Sequence, residues 1–262
     1  MKTSLVISTY NKPNYLELCL KSALHQTVMP SEIVIADDGS TSDTANLIKS
    51  IATIATVPIV HVWHEDNGFK LSQIRNKAFA RCTGNYIIQS DGDIILEQHF
   101  IEDHLRIAQK GYFVCGSRVY LTEDGTKEIF EQQNLQPHAS QMLSSHRINS
   151  IRFKPLQSVM ALRYGKKIDK LRGCNMAFWK DDIIKVNGYN ENLTSWGHED
   201  GERAYRLHFA GVKKKFLKFG GVCFHLYHKE SSRENEQKHI ETSQNTIANH
   251  ISWCENGINK YL

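Results

Sequence analysis

The chain has 262 residues, 40% of them hydrophobic and 23% charged, with a net charge of +4 and a sequence pI of about 8.6. These values describe a folded globular chain of one large domain, or one domain with an added subdomain, and exclude a disordered or fibrous protein. The charge excess is too small and too dispersed to define a polyanion-binding protein by itself.

Leu5-Val6-Ile7 reads as a buried strand, broken by Asn11-Lys12-Pro13-Asn14. Tyr15 to His25 has helical periodicity, with Leu16, Cys19, Leu20 and Ala23 on one face. Glu32 to Ala36 is a second strand, ending at Asp37-Asp38-Gly39-Ser40, and Ser42-Asp43-Thr44 is expected to cap the next helix. Pro58 to Trp63 is a third strand, Leu71 to Cys82 a helix, and Tyr86 to Gln89 a fourth strand closed by Ser90-Asp91-Gly92-Asp93. This alternation predicts an α/β fold with a mostly parallel central sheet flanked by helices. Ligands of such sheets bind outside the carboxyl ends of the strands. Ser8-Thr9-Tyr10-Asn11, Asp37-Asp38-Gly39-Ser40 and Asp91-Gly92-Asp93 all fall at those ends.

After Gly116 the pattern weakens. Residues 122–172 are polar and become cationic through Arg147, Arg152, Lys154, Arg163, Lys166, Lys167, Lys170 and Arg172. They read as an inserted helical or loop segment over one edge, a solvated surface that would also suit an anionic acceptor or membrane surface. Gly173 to Trp179 is apolar again. Asp181 to Lys185 and Asp200 to Ala210 are helical, Phe216 to Tyr227 holds one or two strands, and the tail becomes amphipathic near Ile240 to Trp253.

Six cysteines, Cys19, Cys82, Cys115, Cys174, Cys223 and Cys254, show no CxxC spacing, and several lie in apolar runs. They are expected to be reduced and mostly buried, in a reducing compartment. No zinc-ligand pattern occurs. The run at Leu5-Val6-Ile7 is shorter than a signal peptide's, and no stretch approaches the roughly 20 apolar residues of a membrane span. The expected location is cytoplasmic, with peripheral attachment at the inner face of a membrane left open.

Asp91-Gly92-Asp93 carries the clearest chemistry. Asp-Gly is a common turn pair. Two carboxylates one residue apart at the end of a buried strand, however, repel each other. A divalent cation with a preference for oxygen ligands, Mn²⁺ or Mg²⁺, relieves that repulsion and usually accompanies a phosphate-bearing substrate. A second cluster is Trp196-Gly197-His198-Glu199-Asp200. Acidic residues there suit a helix start. Trp196 also offers a flat platform for a sugar ring, and Glu199 or Asp200 could take a proton from an acceptor hydroxyl. The third element is His225-Leu226-Tyr227-His228, which follows an apolar strand and supplies imidazoles suited to Mn²⁺.

Together these stretches resemble family 2 nucleotide-sugar glycosyltransferases of the GT-A fold, nearest to bacterial chondroitin polymerase domains. The matching segments are Val6 to Asn11, Ile33 to Thr41, Asn67 to Asn76 and Asp91-Gly92-Asp93. The C-terminal part resembles the galactosyltransferase and N-acetylgalactosaminyltransferase type through Trp196 to Asp200 and the later histidines. The resemblance divides a single GT-A domain into a nucleotide-sugar-binding half (1–120), the basic insertion (121–172), an acceptor-binding and catalytic half (173–231) and a helical tail (232–262). It implies that Thr9 and Tyr10, with Asn11 beside them, border the nucleoside, that Asp38 bonds the uracil and that Arg75 lies near the diphosphate or uracil. It also implies that Asp91 faces the ribose and that Asp93 and His228 hold the metal, with His225 as a less certain ligand. Asp200 would be the base, with Glu199 holding a sugar. His198 stands where the family often has glycine, which bears on acceptor fit.

The resulting expectation is an inverting, metal-dependent transfer of a hexose or N-acetylhexosamine. The donor is a UDP-sugar, the acceptor a glycan or lipid-linked sugar, and the context surface polysaccharide or lipopolysaccharide synthesis. The competing readings are a nucleotidyltransferase and a nucleotide-sugar-binding module without transfer. The first lacks its glycine-rich phosphate loop, because that place reads Ser8-Thr9-Tyr10-Asn11-Lys12-Pro13. The second is disfavoured by the full set of acidic and histidine side chains. No nucleic-acid partner is expected, since the basic segment has few interleaved aromatics.

Overall fold

Strands whose residues are apolar without alternation need cover on both faces, and the computed structural model, which describes residues 1–168, 171–195, 197–229 and 236–262, supplies it. The first half runs β1 (Thr3–Thr9), α1 (Pro13–Ala23), β2 (Glu32–Asp37), α2 (Ser42–Ala52), β3 (Ile59–Trp63), α3 (Leu71–Arg81) and β4 (Tyr86–Asp91). It continues through β5 (Ile94–Leu96), α4 (Phe100–Ile107) and β6 (Tyr112–Gly116) to β7 (Val119–Tyr120) and α5 (Glu123–Gln132). Two 3₁₀ turns, Ala139–Gln141 and Ser144–Ser150, precede α6 (Lys154–Tyr164). Then come β8 (Met176–Trp179), α7 (Lys180–Lys185), α8 (Glu199–Phe209), β9 (Lys213–Leu217), β10 (Cys223–His225), α9 (Glu236–Ala248) and a last 3₁₀ turn at Ile258–Tyr261.

Seven strands form one sheet in the order β3-β2-β1-β4-β8-β6-β9. All neighbours are parallel except β8, which runs antiparallel to both β4 and β6. Successive residues alternate between two cores. Leu5, Ile7, Ile33, Ile35 and Ile88 pack under α1, α2 and α4, through Leu16, Leu20, Ile48 and Phe100. Val6, Val34, Ile87 and Phe178 pack under α3, α7 and α8, through Ile74, Phe79, Ile183 and Leu207. A smaller sheet, β5-β10-β7, sits over a third core that includes Leu18, Ile95, Val119, Ile129 and Phe224.

Parallel pairing sets the strand ends side by side. Ser8 lies opposite Asp91, and Thr9 opposite Asp37. β10 runs antiparallel to β5, with His225 opposite Ile94, and the Leu226 N–H donates to the Asp93 carbonyl at 3.0 Å. That one register carries the His225–His228 stretch to the end of β4.

One expectation changes. Ser42 opens α2 rather than capping it; Thr41 occupies the cap position without a side-chain cap bond. The segment after Gly116 holds α5 and α6, with α6 against β9 at the edge of the seven-stranded sheet. β7 belongs to the small sheet, and Ala161 of α6 packs into the same core as α4's Phe100. All six cysteines are free and buried, as expected. No helix among the described residues is long and apolar enough to cross a membrane.

Candidate active site

Asp93, His225 and His228 converge. The Asp93 Oδ2 and His228 Nε2 are 2.8 Å apart, the Asp93 Oδ1 and His225 Nε2 are 3.8 Å apart, and one ligand atom from each of the three lies within 4.8 Å of the others. The Asp93 Oδ1 is buried and has no hydrogen-bond partner among the described residues. A buried carboxylate oxygen left unpaired is costly, whereas one aimed into a His-His-Asp cluster suits a divalent cation. Burial pushes the His225 imidazole down to about 4, leaving its lone pair free at neutral pH. The Asp93 bond raises His228. Burial opposes ionisation of Asp93, yet the His228 bond and the nearby His225 hold it below the usual carboxylate range. The donor set fits Mn²⁺, and Mg²⁺ less well because of the imidazoles.

One fully buried guanidinium ties this corner to the second acidic cluster. Arg75, 1% exposed, donates from Nη2 to Asp91 Oδ1 at 2.8 Å and from Nε to Ser8 Oγ at 3.0 Å. Its Nη1 lies 3.6 Å from Glu199 Oε1 and 3.7 Å from Asp200 Oδ1. Asp91 is thereby engaged inside the protein, its carboxyl pushed up to about 6 by burial even with Arg75 beside it. The resemblance sets Asp91 toward the ribose and Arg75 toward the diphosphate. In the structure each first serves the other.

Glu199 and Asp200 are the first two residues of α8, where free N–H groups and the helix dipole favour anions. The turn before them needs left-handed backbone: Gly197 has φ 103° and His198 φ 69°. His198 thus holds a conformation that glycine adopts at less cost. Asp200 Oδ1 accepts hydrogen bonds from Tyr189 Oη and Gln89 Nε2 and lies 3.7 Å from Arg203 Nη2. Arg203 stacks over the Tyr189 ring at 3.8 Å and the Phe178 ring at 4.1 Å. Burial works against ionisation of Asp200, but Arg75 and Arg203 hold it below the usual range. Glu199 goes the other way, pushed up to about 7 by burial and then by the Asp200 charge, and its Oε2 is buried without a partner among the described residues. Asp200 Oδ2 abuts Gly173, where a Cβ would occupy its space.

The other end of the site is a polar loop cluster. Asp38 receives His64 Nε2 at 2.8 Å and the Lys70 N–H at 2.9 Å, one on each oxygen. Tyr10, half exposed, donates to Asp66 Oδ2 at 2.8 Å. Asn11 accepts from the Thr41 N–H at 2.9 Å, while its own N–H donates to Ser40 Oγ. Thr9 is buried, and its carbonyl accepts from the Asp38 N–H at 3.0 Å. Gly39, at φ 95°, approaches the Asp66 backbone too closely for any side chain. Trp196 lies outside the described residues.

The structure therefore gathers Asp91, Asp93, Arg75, Glu199, Asp200, His225 and His228 in one region, with Thr9, Tyr10, Asn11 and Asp38 along the neighbouring strand ends. Sequence reading missed Lys12, whose charge is felt by Asp93 and Asp91, and the orienting Tyr189, Gln89 and Arg203. Lys12 was legible as the cation following Asn11 on the same loop. The other three had no local signal.

A family model described as glycosyl transferase family 2 matches residues 4–179, and one described as the N-terminal domain of galactosyltransferase matches residues 154–229. Chondroitin synthase of Escherichia coli is 24% identical over 89% of this chain and 35% of its own length, and that of Pasteurella multocida (strain Pm70) is 28% identical over 89% and 25%. The chain thus spans about a quarter to a third of these relatives. Among solved structures, Staphylococcus aureus TarS 1–349 in complex with UDP has a TM-score of 0.65 at 16% identity, covering 95% of this chain and 66% of that one. The mannosyltransferase PcManGT from Pyrobaculum calidifontis in complex with GDP-Man and Mn²⁺ has a TM-score of 0.63 at 16% identity, covering 95% and 64%.

Proposed function

The chain belongs to glycosyl transferase family 2 and has the GT-A glycosyltransferase fold, and from that premise we propose that it is an inverting, metal-dependent enzyme. It would move a hexose or N-acetylhexosamine from a UDP-sugar to a glycan or lipid-linked acceptor, in assembly of a surface polysaccharide or lipopolysaccharide. The observation that carries the proposal is Arg75, which contacts Asp91 at one end of its guanidinium and approaches Glu199 and Asp200 at the other. The Asp-His-His cluster and the acidic pair are thus two sides of one site.

Asp93, His225 and His228 would hold the cation. When bound, it neutralises charge developing on the leaving diphosphate. Lys12 adds a positive charge on the same side. Asp200, kept ionised by Arg75 and Arg203, takes the proton from the acceptor hydroxyl as that oxygen attacks the anomeric carbon in line. Configuration inverts, and no covalent intermediate forms. Glu199, still partly protonated near pH 7, can donate a hydrogen bond to a sugar hydroxyl as well as accept one. Asp38 and Tyr10 would meet the base and ribose, and their hydrogen bonds to His64, Lys70 and Asp66, which orient them, support that role. The UDP and UDP-GlcNAc complexes of TarS support the choice of UDP.

The test is a screen of UDP-sugars for Mn²⁺-dependent hydrolysis or transfer, with the product anomer read by NMR. One or more UDP-sugars should be turned over with inversion. Retention of configuration, or turnover unaffected by chelation, contradicts the proposal.

A further inference from the structure

The molecule presents one surface that the site does not use. No aspartate or glutamate occurs between Glu131 and Asp169, a stretch that carries Arg147, Arg152, Lys154, Arg163, Lys166 and Lys167. Arg152 and Lys154 are spent on internal pairs with Asp103 and Glu102. Arg147, Arg163, Lys166 and Lys167 are exposed and form no ion pair among the described residues. The same stretch exposes large apolar side chains: Ile148 at 52%, Ile151 at 47% and Phe153 at 49% before α6, and Val159 at 66% and Leu162 at 53% on it.

This exposure is built, not frayed. Arg152 grips the fully buried Asp103 with two bonds of 2.8 Å, and Gln157 Nε2 donates to the Phe219 carbonyl at 2.8 Å. Gln157 and Ala161, on the inner face of α6, are fully buried. Pro155, Val159 and Leu162 recur at helical spacing on the outer face, and Lys166 follows in the turn after the helix. Exposed apolar side chains interspersed along the chain with exposed Lys and Arg, with no acid in the same stretch, match an interface between acyl chains and anionic headgroups. A second copy of the same face would set like charges against each other, which disfavours self-association.

We propose that the outer face of residues 147–167 docks the protein on an anionic lipid bilayer. Apolar side chains of α6 and the preceding loop enter the headgroup boundary, and the four unpaired cations face lipid phosphates. The face borders the site: the His146 ring meets the Tyr120 ring edge-on at 4.7 Å, and Tyr120 lies 5.3 Å from the His225 ring. A membrane-docked molecule would hold its site beside the bilayer, within reach of a lipid-borne acceptor. That consequence rests on the glycosyltransferase reading, but the docking itself does not.

Co-sedimentation of the full chain with vesicles separates the two, since it needs no catalysis. One set would be pure phosphatidylcholine, the other about one-third phosphatidylglycerol. Binding should appear only with the anionic vesicles and weaken as salt rises. Val159→Ser/Leu162→Ser, and separately a variant with Arg147, Arg163, Lys166 and Lys167 all changed to Gln, should each lower partitioning by about tenfold or more. Circular dichroism melts check that both variants stay folded, and each suffices if the other fails. No binding to anionic vesicles, or equal binding by folded variants, overturns the proposal. So does sedimentation velocity showing a dimer that Val159→Ser/Leu162→Ser abolishes.

Discussion

Asp200 and Glu199 are adjacent in sequence, yet their surroundings drive them apart. Asp200 faces two guanidiniums; Glu199 lies near one of them, feels the Asp200 charge and keeps one buried oxygen unpaired among the described residues. A base acts in the chemical step, so Asp200→Asn should leave UDP-sugar affinity within a few-fold while turnover falls by about 10²–10⁴. Glu199→Gln should raise the KM for donor or acceptor as well. Near-normal turnover in Asp200→Asn would shift the role to Glu199. The raised Glu199 carboxyl also has a stability signature. Because the folded state holds this proton up to about pH 7 and the unfolded state releases it near the ordinary value of 4.5, the folded state binds more protons between those values. The contribution is fully present below pH 4.5 and is lost as pH rises to 7. His225 and the buried His104, both held down to about 4, act in the opposite sense over part of that window, so the Glu199 contribution is read as a difference: in EDTA, the urea unfolding midpoint of the wild type relative to Glu199→Gln should fall across it. Asp91, raised to about 6, contributes in the same direction as Glu199. An unchanged slope in Glu199→Gln would remove Glu199 from this account.

At the scale of elements, register and turns assemble the site. The loop before β8 reaches Asp200 through Gly173, whose carbonyl accepts from Gln89 Nε2 at 2.7 Å while its missing side chain leaves room for Asp200 Oδ2. Gly173→Ala should therefore displace the Asp200 carboxylate, lowering turnover by about tenfold or more and stability by about 1–3 kcal/mol, the usual cost of overpacking. Kinetics alongside urea unfolding would check both, and a fully active, equally stable variant would refute the packing argument. β1, β2 and β4 were legible because both of their faces are buried, so their apolar runs are continuous and end abruptly at polar residues: Ser8, Asp37 and Asp91. The short strands of the second sheet were not. β5 and β7 have three and two residues, and their pairing with β10 is decided by tertiary contact rather than local pattern. Motif residues could likewise be found in the sequence, whereas Tyr189, Gln89 and Arg203 act on Asp200 only after the chain has folded.

Across the whole molecule, the parallel sheet brings the loops of Thr9 to Asn11 and Asp38, together with Asp93 and Arg75, to one edge, the small sheet delivers His225 and His228, and α8 delivers the acidic pair. The site exists only where these three pieces meet, and a divalent cation in the Asp-His-His cluster is the claim on which the mechanism turns. Calorimetric titration with UDP tests it most directly, with Mn²⁺, without it, and with EDTA, on the wild-type chain and on Asp93→Ala. The account predicts UDP binding about tenfold or more tighter with Mn²⁺ than in EDTA, and no Mn²⁺ dependence in Asp93→Ala. Equal UDP affinity in all three conditions would contradict it.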